Sequence, residues 1–145
     1  MFAEVLLPGM PYKILEHTAD LKMRVTGKTM EKLFQDAARG MMNFLKGKKD
    51  KRRTEKTTRT IKTRSRDKTA LLVDFLSEVL TLSQINKETY SGIIFKKLTE
   101  KEAEAELKGI PVLEFEEDIK AVTYHEADVK KNAQDMWATN IVFDI

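Results

Sequence analysis

From Thr29 onward the apolar residues Met30, Leu33, Phe34, Ala37, Ala38, Met41, Met42 and Leu45 recur at spacings of three and four. That period predicts an amphipathic helix, with Thr29 as its N-cap and Gly47 as its stop. A second helix is predicted behind Asp67, which can cap it. Its buried face would carry Leu71, Leu72, Phe75, Leu76, Val79, Leu80 and Leu82, the strongest core helix in the chain. Elsewhere the period is two. Tyr12 to His17 reads as a short strand opened by Pro11, with Tyr12 and Ile14 on one side and Leu15 and His17 on the other. Leu21, Met23 and Val25 alternate with Lys22, Arg24 and Thr26 as a half-buried strand should. His17-Thr18-Ala19-Asp20 then forms a tight connection at the strand ends.

The Thr-rich stretch Glu55 to Arg66 fits an exposed or edge strand, and Lys46 to Arg53, without an apolar residue, is expected to be an exposed, mobile connector. The remainder predicts strands over Tyr90–Leu98, Glu102–Lys108, Pro111–Phe115, Ile119–Tyr124 and Met136–Ile145. Each residue of Glu102-Ala103-Glu104-Ala105-Glu106-Leu107 favours helix, yet the alternation is strict, and periodicity outweighs propensity. The order of elements predicts one α+β domain over residues 11–145, a mixed, mainly antiparallel sheet with two helices packed on one face. Residues 1–10 form an N-terminal extension without an assigned function.

Composition narrows the chemistry. A chain of 145 residues, 41% hydrophobic and 34% charged, holds one domain with a real core. With no cysteine, thiolate zinc sites, iron–sulfur clusters, disulfides and cysteine nucleophiles are excluded, so any metal must take oxygen or imidazole ligands. No apolar run approaches the ~20 residues that span a bilayer, and the expectation is a soluble, cytoplasmic protein with no membrane partner. The net charge of +3 is too mild to prove a nucleic-acid partner. It is unevenly spread: Lys46 to Arg66 carries eleven Lys and Arg against Asp50 and Glu55, a local excess of +9. Such a stripe, with Lys51, Arg52 and Arg53 at its centre, can meet RNA phosphates or an acidic protein, or simply protect an edge strand from pairing. No aromatic interleaves with it, which disfavours base stacking.

Three further features could carry chemistry. In the ending Asn140-Ile141-Val142-Phe143-Asp144-Ile145, alternation puts Ile141, Phe143 and Ile145 on the core side and turns Asp144 away, near the α-carboxylate of Ile145. With Asp20, if the fold brings it near, three carboxylates would make a hard-cation site for Ca²⁺, Mg²⁺ or Mn²⁺. Taken separately, Asp144 is equally a polar residue at a fraying end and Asp20 an ordinary turn residue. Lys120, turned outward between Ile119 and Ala121, could balance these acids or meet a phosphate, or be plain surface. His17 and His125 do not make a zinc motif, and no nucleophile constellation or Gly-rich phosphate loop is present.

Four segments in register resemble the archease family: Tyr12-Lys13-Ile14-Leu15-Glu16-His17-Thr18-Ala19-Asp20, Thr69-Ala70-Leu71-Leu72-Val73-Asp74-Phe75-Leu76-Ser77-Glu78, Ile119-Lys120-Ala121-Val122-Thr123-Tyr124-His125 and Val142-Phe143-Asp144-Ile145. The likeness covers nearly all of the chain from Pro11. It implies a protein cofactor without catalytic residues of its own, which activates the RtcB-type RNA ligase by promoting its guanylylation by GTP, for multiple turnover in tRNA splicing and RNA repair. It further implies a bound divalent metal of calcium type, with Asp20, Asp144 and the α-carboxylate of Ile145 as ligands and Lys120 as a further functional residue. The rival expectation is an RNA-binding or chaperone module working through residues 46–66 in tRNA processing or modification. In either case RNA contact would be indirect or confined to that stripe.

Overall fold

The computed structural model describes the backbone of residues 2–6, 11–17 and 20–145, and the side chains of residues 11, 12 and 20–145. The elements in chain order are β1 (Phe2–Leu6), β2 (Tyr12–His17), β3 (Asp20–Gly27), α1 (Met30–Leu45), β4 (Gly47–Lys49), β5 (Thr57–Arg64), α2 (Lys68–Asn86), β6 (Glu88–Leu98), β7 (Glu102–Phe115), β8 (Ala121–Thr123), β9 (Lys130–Lys131) and β10 (Trp137–Asp144). The sidedness expected for Lys13 to His17, and the Thr18-Ala19 connection, lie outside what is described.

Both helices start where their caps dictate. Thr29 Oγ1 accepts the Lys32 amide at 3.1 Å, and Asp67 Oδ1 accepts the Ala70 amide at 2.8 Å, each satisfying one of the free donors of a first turn. The stop of α1 differs from expectation. Lys46, not Gly47, takes the left-handed conformation, with φ 50°, and donates its amide to Met42 O. Gly47 is instead the first residue of β4, where a Cβ would lie 2.7 Å from Val112 Cγ1. Glycine is required there by close approach rather than by its dihedral freedom.

The strands form two sheets rather than one. In the first the order is β1-β2-β3-β10-β8, with β9 also on β10; in the second β7 is the hub, pairing with β4, β5 and β6. Every described ladder is antiparallel. The period-two reading of Glu102–Leu107 holds, but the expected break at Gly109-Ile110-Pro111 does not occur, and β7 runs on to Phe115. A Cβ on Gly109 would fall 2.4 Å from Thr89 O, so glycine lets β6 pass close by without ending the strand. The basic connector is also more structured than expected: β4 pairs with the far end of β7, and the buried Asp50 accepts the Arg52 amide at 2.9 Å. Among the described residues β5 pairs with β7 alone, as an edge strand.

The helix pair touches both sheets. α1 packs on β3 and β6, and α2 on β5 and β8. α2 buries Ala70, Leu71, Leu72, Val73, Phe75, Leu76, Val79, Leu80 and Ser83, so it is enclosed on more than one side. Phe34, Phe75 and Phe95 meet at centroid separations of 5.3 to 5.9 Å, joining α1, α2 and β6 in tilted and edge-on contacts. None of the described helices is long and apolar enough to cross a membrane.

The outer acids of β7 hold their charge strongly. Hydrogen bonds from Lys97 and Arg64 bring Glu102 down to about 2, and Lys96 lowers Glu106. Because these folded-state values lie below the unfolded ones, the stability they contribute is present above the ordinary glutamate range and is lost as pH falls toward 2. Thermal unfolding is therefore expected to be nearly flat from pH 7 to about 5 and to drop steeply between about 4 and 2. A melting temperature that does not fall over that acid range would show that these pairs contribute nothing to the fold.

Candidate functional site

The acidic end of the chain lies where β3, β10 and β8 meet. β3 and β10 run antiparallel in a register that sets Trp137 opposite Gly27, Ile141 opposite Met23 and Asp144 opposite Asp20. Residues directly opposite on antiparallel strands project to the same face with Cβ atoms about 5 Å apart. Leu21, Met23 and Val25 fill the helix side of β3, so Asp20 belongs to the outer face, half-buried, with Asp144 exposed beside it. On the other flank of β10, Ala121 of β8 is opposite Asp144, and the Lys120 amide donates to Asp144 O at 2.7 Å. The fold thus gathers Asp20, Asp144, Ile145 and Lys120 from three segments far apart in sequence.

Alternation along β10 is less clean than expected. Val142 is buried along with Ile141 and Phe143, because its position on the outer face is flanked by Lys22 on β3 and Thr123 on β8. Thr123 Oγ1 donates to Val142 O at 2.8 Å, and the Lys22 ammonium meets Glu126 at 2.8 Å. That ion pair lies one outer-face position from the two aspartates. It also keeps Glu126 ionised below the ordinary glutamate range.

Asp20 and Asp144 themselves have no ion-pair partner among the described residues. Two like charges facing each other across a ladder destabilise it unless a cation sits between them. Among the described residues no cluster of three or more His, Asp or Glu side chains is gathered as for a metal. The oxygen set the ladder brings together here is the two side-chain carboxylates of Asp20 and Asp144. Such all-oxygen, anionic donors suit a hard divalent cation. His125 is exposed, its amide bonded to Thr123 Oγ1 at 3.3 Å, whereas the His17 side chain lies outside the described residues.

The basic stripe looks different in space from its appearance in sequence. Lys48 meets Glu114 at 3.4 Å, Arg59 meets Glu88 at 2.7 Å, Lys62 meets Glu104 at 3.1 Å and Arg64 meets Glu102. The antiparallel register sets Lys62 and Arg64 of β5 opposite Glu104 and Glu102 of the alternating Glu segment and Lys48 of β4 opposite Glu114 farther along β7, whereas Arg59 reaches Glu88 of β6. At the tip of the connector, Arg52 is 3.9 Å from Asp50, Arg53 is 3.4 Å from Glu55, and Lys51 has no ion pair among the described residues. A contact surface there is reduced to a short exposed tip.

Sequence reasoning did not single out two side chains of α2 that bear on the site: Gln84, whose amide donates to Ile119 O at 2.8 Å, and Asp74, which accepts from the Tyr124 hydroxyl. Neither stands out by type or spacing on its helix.

Known proteins place the chain clearly. Its sequence matches the Archease protein family over residues 12–145. The protein archease of Methanosarcina barkeri is 35% identical over 148 residues, covering 94% of this chain and 97% of the relative. That of Thermococcus gammatolerans is 30% identical, covering 90% and 95%. The solution structure of a Methanobacterium thermoautotrophicum protein superposes with a TM-score of 0.66 at 19% identity, covering 93% of this chain and 99% of that one. The crystal structure of a Thermotoga maritima protein, described as an archease and possible chaperone, gives 0.65 at 23% identity over 90% and 94%. The two helices and the mainly antiparallel α+β fold expected from the sequence, here with two sheets in place of one, are therefore the architecture of these structures, and the chain belongs to the archease family.

Proposed function

We propose that this chain is an activator of an RtcB-type RNA ligase, promoting the ligase's GTP-dependent guanylylation and repeated turnover in tRNA splicing and RNA repair. The observation that carries this reading is the pairing of Asp20 directly opposite Asp144 with Lys120 bonded to the same residue. In this reading Asp20, Asp144 and the α-carboxylate of Ile145 hold a divalent cation, calcium first, with magnesium or manganese as substitutes. Bound there, the cation supplies positive charge of the kind that stabilises phosphoryl oxygens during nucleotidyl transfer. The chain's own part is to hold the oxygen donors on the rigid edge of a ladder and to present Lys120 beside them. The chain then works as a protein cofactor in the cytoplasm, with the ligase as its partner and any RNA contact indirect.

The rival reading, RNA binding or chaperoning through residues 46–66, has less support, because four of that segment's eleven cations are met by acids of β7 and β6 and three more by Asp50, Glu55 and Asp67. The experiment is RNA ligation by the cognate ligase with GTP and excess substrate, with substoichiometric wild type, Asp144→Ala, or a Lys51→Glu, Arg52→Glu, Arg53→Glu triple variant. We expect many turnovers with wild type and with the triple variant, and stimulation reduced at least tenfold with Asp144→Ala. Full stimulation by Asp144→Ala would remove the acidic end from the mechanism. Loss confined to the triple variant, with RNA affinity falling steeply in salt, would establish the basic tip instead.

A further inference from the structure

β8 is a weak element to carry a functional residue. Among the described residues it pairs on one flank, through Ala121, Val122 and Thr123 against Asp144, Phe143 and Val142 of β10. Ile119 and Val122 are buried beneath it, but apolar burial is non-directional and does not stop a short segment sliding. Besides the β10 ladder and the Lys120 amide bond to Asp144 O, further directional contacts come from α2. Gln84 Nε2 donates to Ile119 O at 2.8 Å, immediately before Lys120. At the other end Asp74 accepts from the Tyr124 hydroxyl through Oδ1, and from Ser65 Oγ at 2.5 Å through Oδ2. The bond to Asp74 also raises the Tyr124 hydroxyl above its ordinary range, as expected for a phenol held as donor to a carboxylate.

The spacing of the two anchors matches the segment they hold. Ten residues of helix from Asp74 to Gln84 rise about 15 Å, and the five steps from Ile119 to Tyr124 span about 16 Å when nearly extended. The segment runs antiparallel to the helix, with 119 beside 84 and 124 beside 74. α2 is therefore a ruler laid along the Lys120 segment, fastened at both ends and set by the length of one rigid helix.

We propose that Gln84 and Asp74 are positioning residues, which fix the 119–124 segment along α2 and so set Lys120 in register beside Asp144. The role in activation rests on the ligase reading above; the anchoring itself does not. Asp74 and Tyr124 fall in two of the segments that resemble the family, and their contact gives those segments a joint physical purpose.

The test compares the full-length chain with Gln84→Glu, which keeps the shape but removes the amide donor, Tyr124→Phe, which removes one hydroxyl, and Gln84→Lys, which restores a donor. Three quantities are read: hydrogen exchange of the Lys120 amide, calcium affinity, and stimulation of the cognate ligase at saturating calcium. Gln84→Glu and Tyr124→Phe each speed Lys120 exchange about tenfold, the local opening expected on losing one hydrogen bond. The Met23 and Val25 amides of β3 exchange as in wild type. Calcium affinity stays within about twofold while stimulation drops about tenfold, and Gln84→Lys recovers both protection and stimulation. Unchanged Lys120 exchange in both donor-loss variants overturns the anchoring, and faster exchange with undiminished stimulation overturns its role in activation. If wild type itself fails to stimulate, the ligase reading falls, and the exchange data alone decide whether α2 sets the register.

Discussion

A Glu88→Ala variant is expected to unfold about 6 to 12 °C below wild type. Glu88 opens β6 with its side chain fully buried, and it receives a two-pronged bond from Arg59, Nε to Oε1 at 2.9 Å and Nη2 to Oε2 at 2.7 Å. The Tyr90 hydroxyl, itself buried, donates to the same Oε1 at 2.7 Å. Burial opposes ionisation of this carboxyl, but the bonds from Arg59 and Tyr90 outweigh it and hold Glu88 below the ordinary glutamate range. Removing the carboxylate strands a buried phenol and leaves a guanidinium unpaired. A buried partner lost in this way costs roughly 3 to 5 kcal/mol, and the low end applies because the Arg59 side chain is 39% exposed and water can reach it. For a chain of 145 residues, 1 kcal/mol corresponds to about 2 to 4 °C. Glu88→Gln, which retains an acceptor for Tyr90, should lose about half as much. Thermal or urea unfolding decides, and a shift below about 2 °C would mean that the network contributes specificity without stability.

That network also shows where sequence reading stops. The helices are legible because their chemistry is local: the apolar period names the buried face, and Thr29 and Asp67 each sit three residues from the amide they cap. The alternating Glu segment is legible for the same reason, since a period of two survives in the strand whatever pairs with it. Partner choice is not local. Nothing in Thr57–Arg64 says that it will lie against 102–109, yet that pairing turns an apparent basic stripe into a row of ion pairs. Nor does periodicity distinguish one sheet from two, because a strand shows its sides and not its neighbours. The stop of α1 was missed by one residue, because Gly47 serves packing against Val112 and Lys46 accepts the left-handed turn.

The acidic end lies between these cases. Asp20 and Asp144 are 124 positions apart, and residue pattern alone leaves each an ordinary surface acid. Resemblance drew them together before any geometry did, and the ladder of β3 with β10 then set them face to face. What resemblance could not indicate is how the third segment is held. The bonds from Gln84 and Asp74 depend on helix length and strand extension together, which no single stretch of sequence encodes.

Asp144→Asn should raise the melting temperature of the metal-free chain by about 1 to 3 °C while abolishing its response to calcium. The first effect follows from the register: opposed like charges on neighbouring strands cost up to about 1 kcal/mol, and the amide keeps size and hydrogen bonding while deleting one charge. The gain should shrink in about 1 M salt, where screening already weakens the repulsion. The second effect follows from the donor set. A cation that binds only the folded chain stabilises it by about 2.7 kcal/mol at a concentration 100 times its dissociation constant, or about 5 to 10 °C here. Wild type should therefore start lower and climb above the variant as calcium is added, so that the two titration curves cross. A merely structural aspartate predicts no crossing, because its replacement lowers the melting temperature in both conditions. A crossing reproduced with Asp20→Asn, but absent with Asp118→Asn in the exposed turn before β8, would localise the cation to the ladder pair itself.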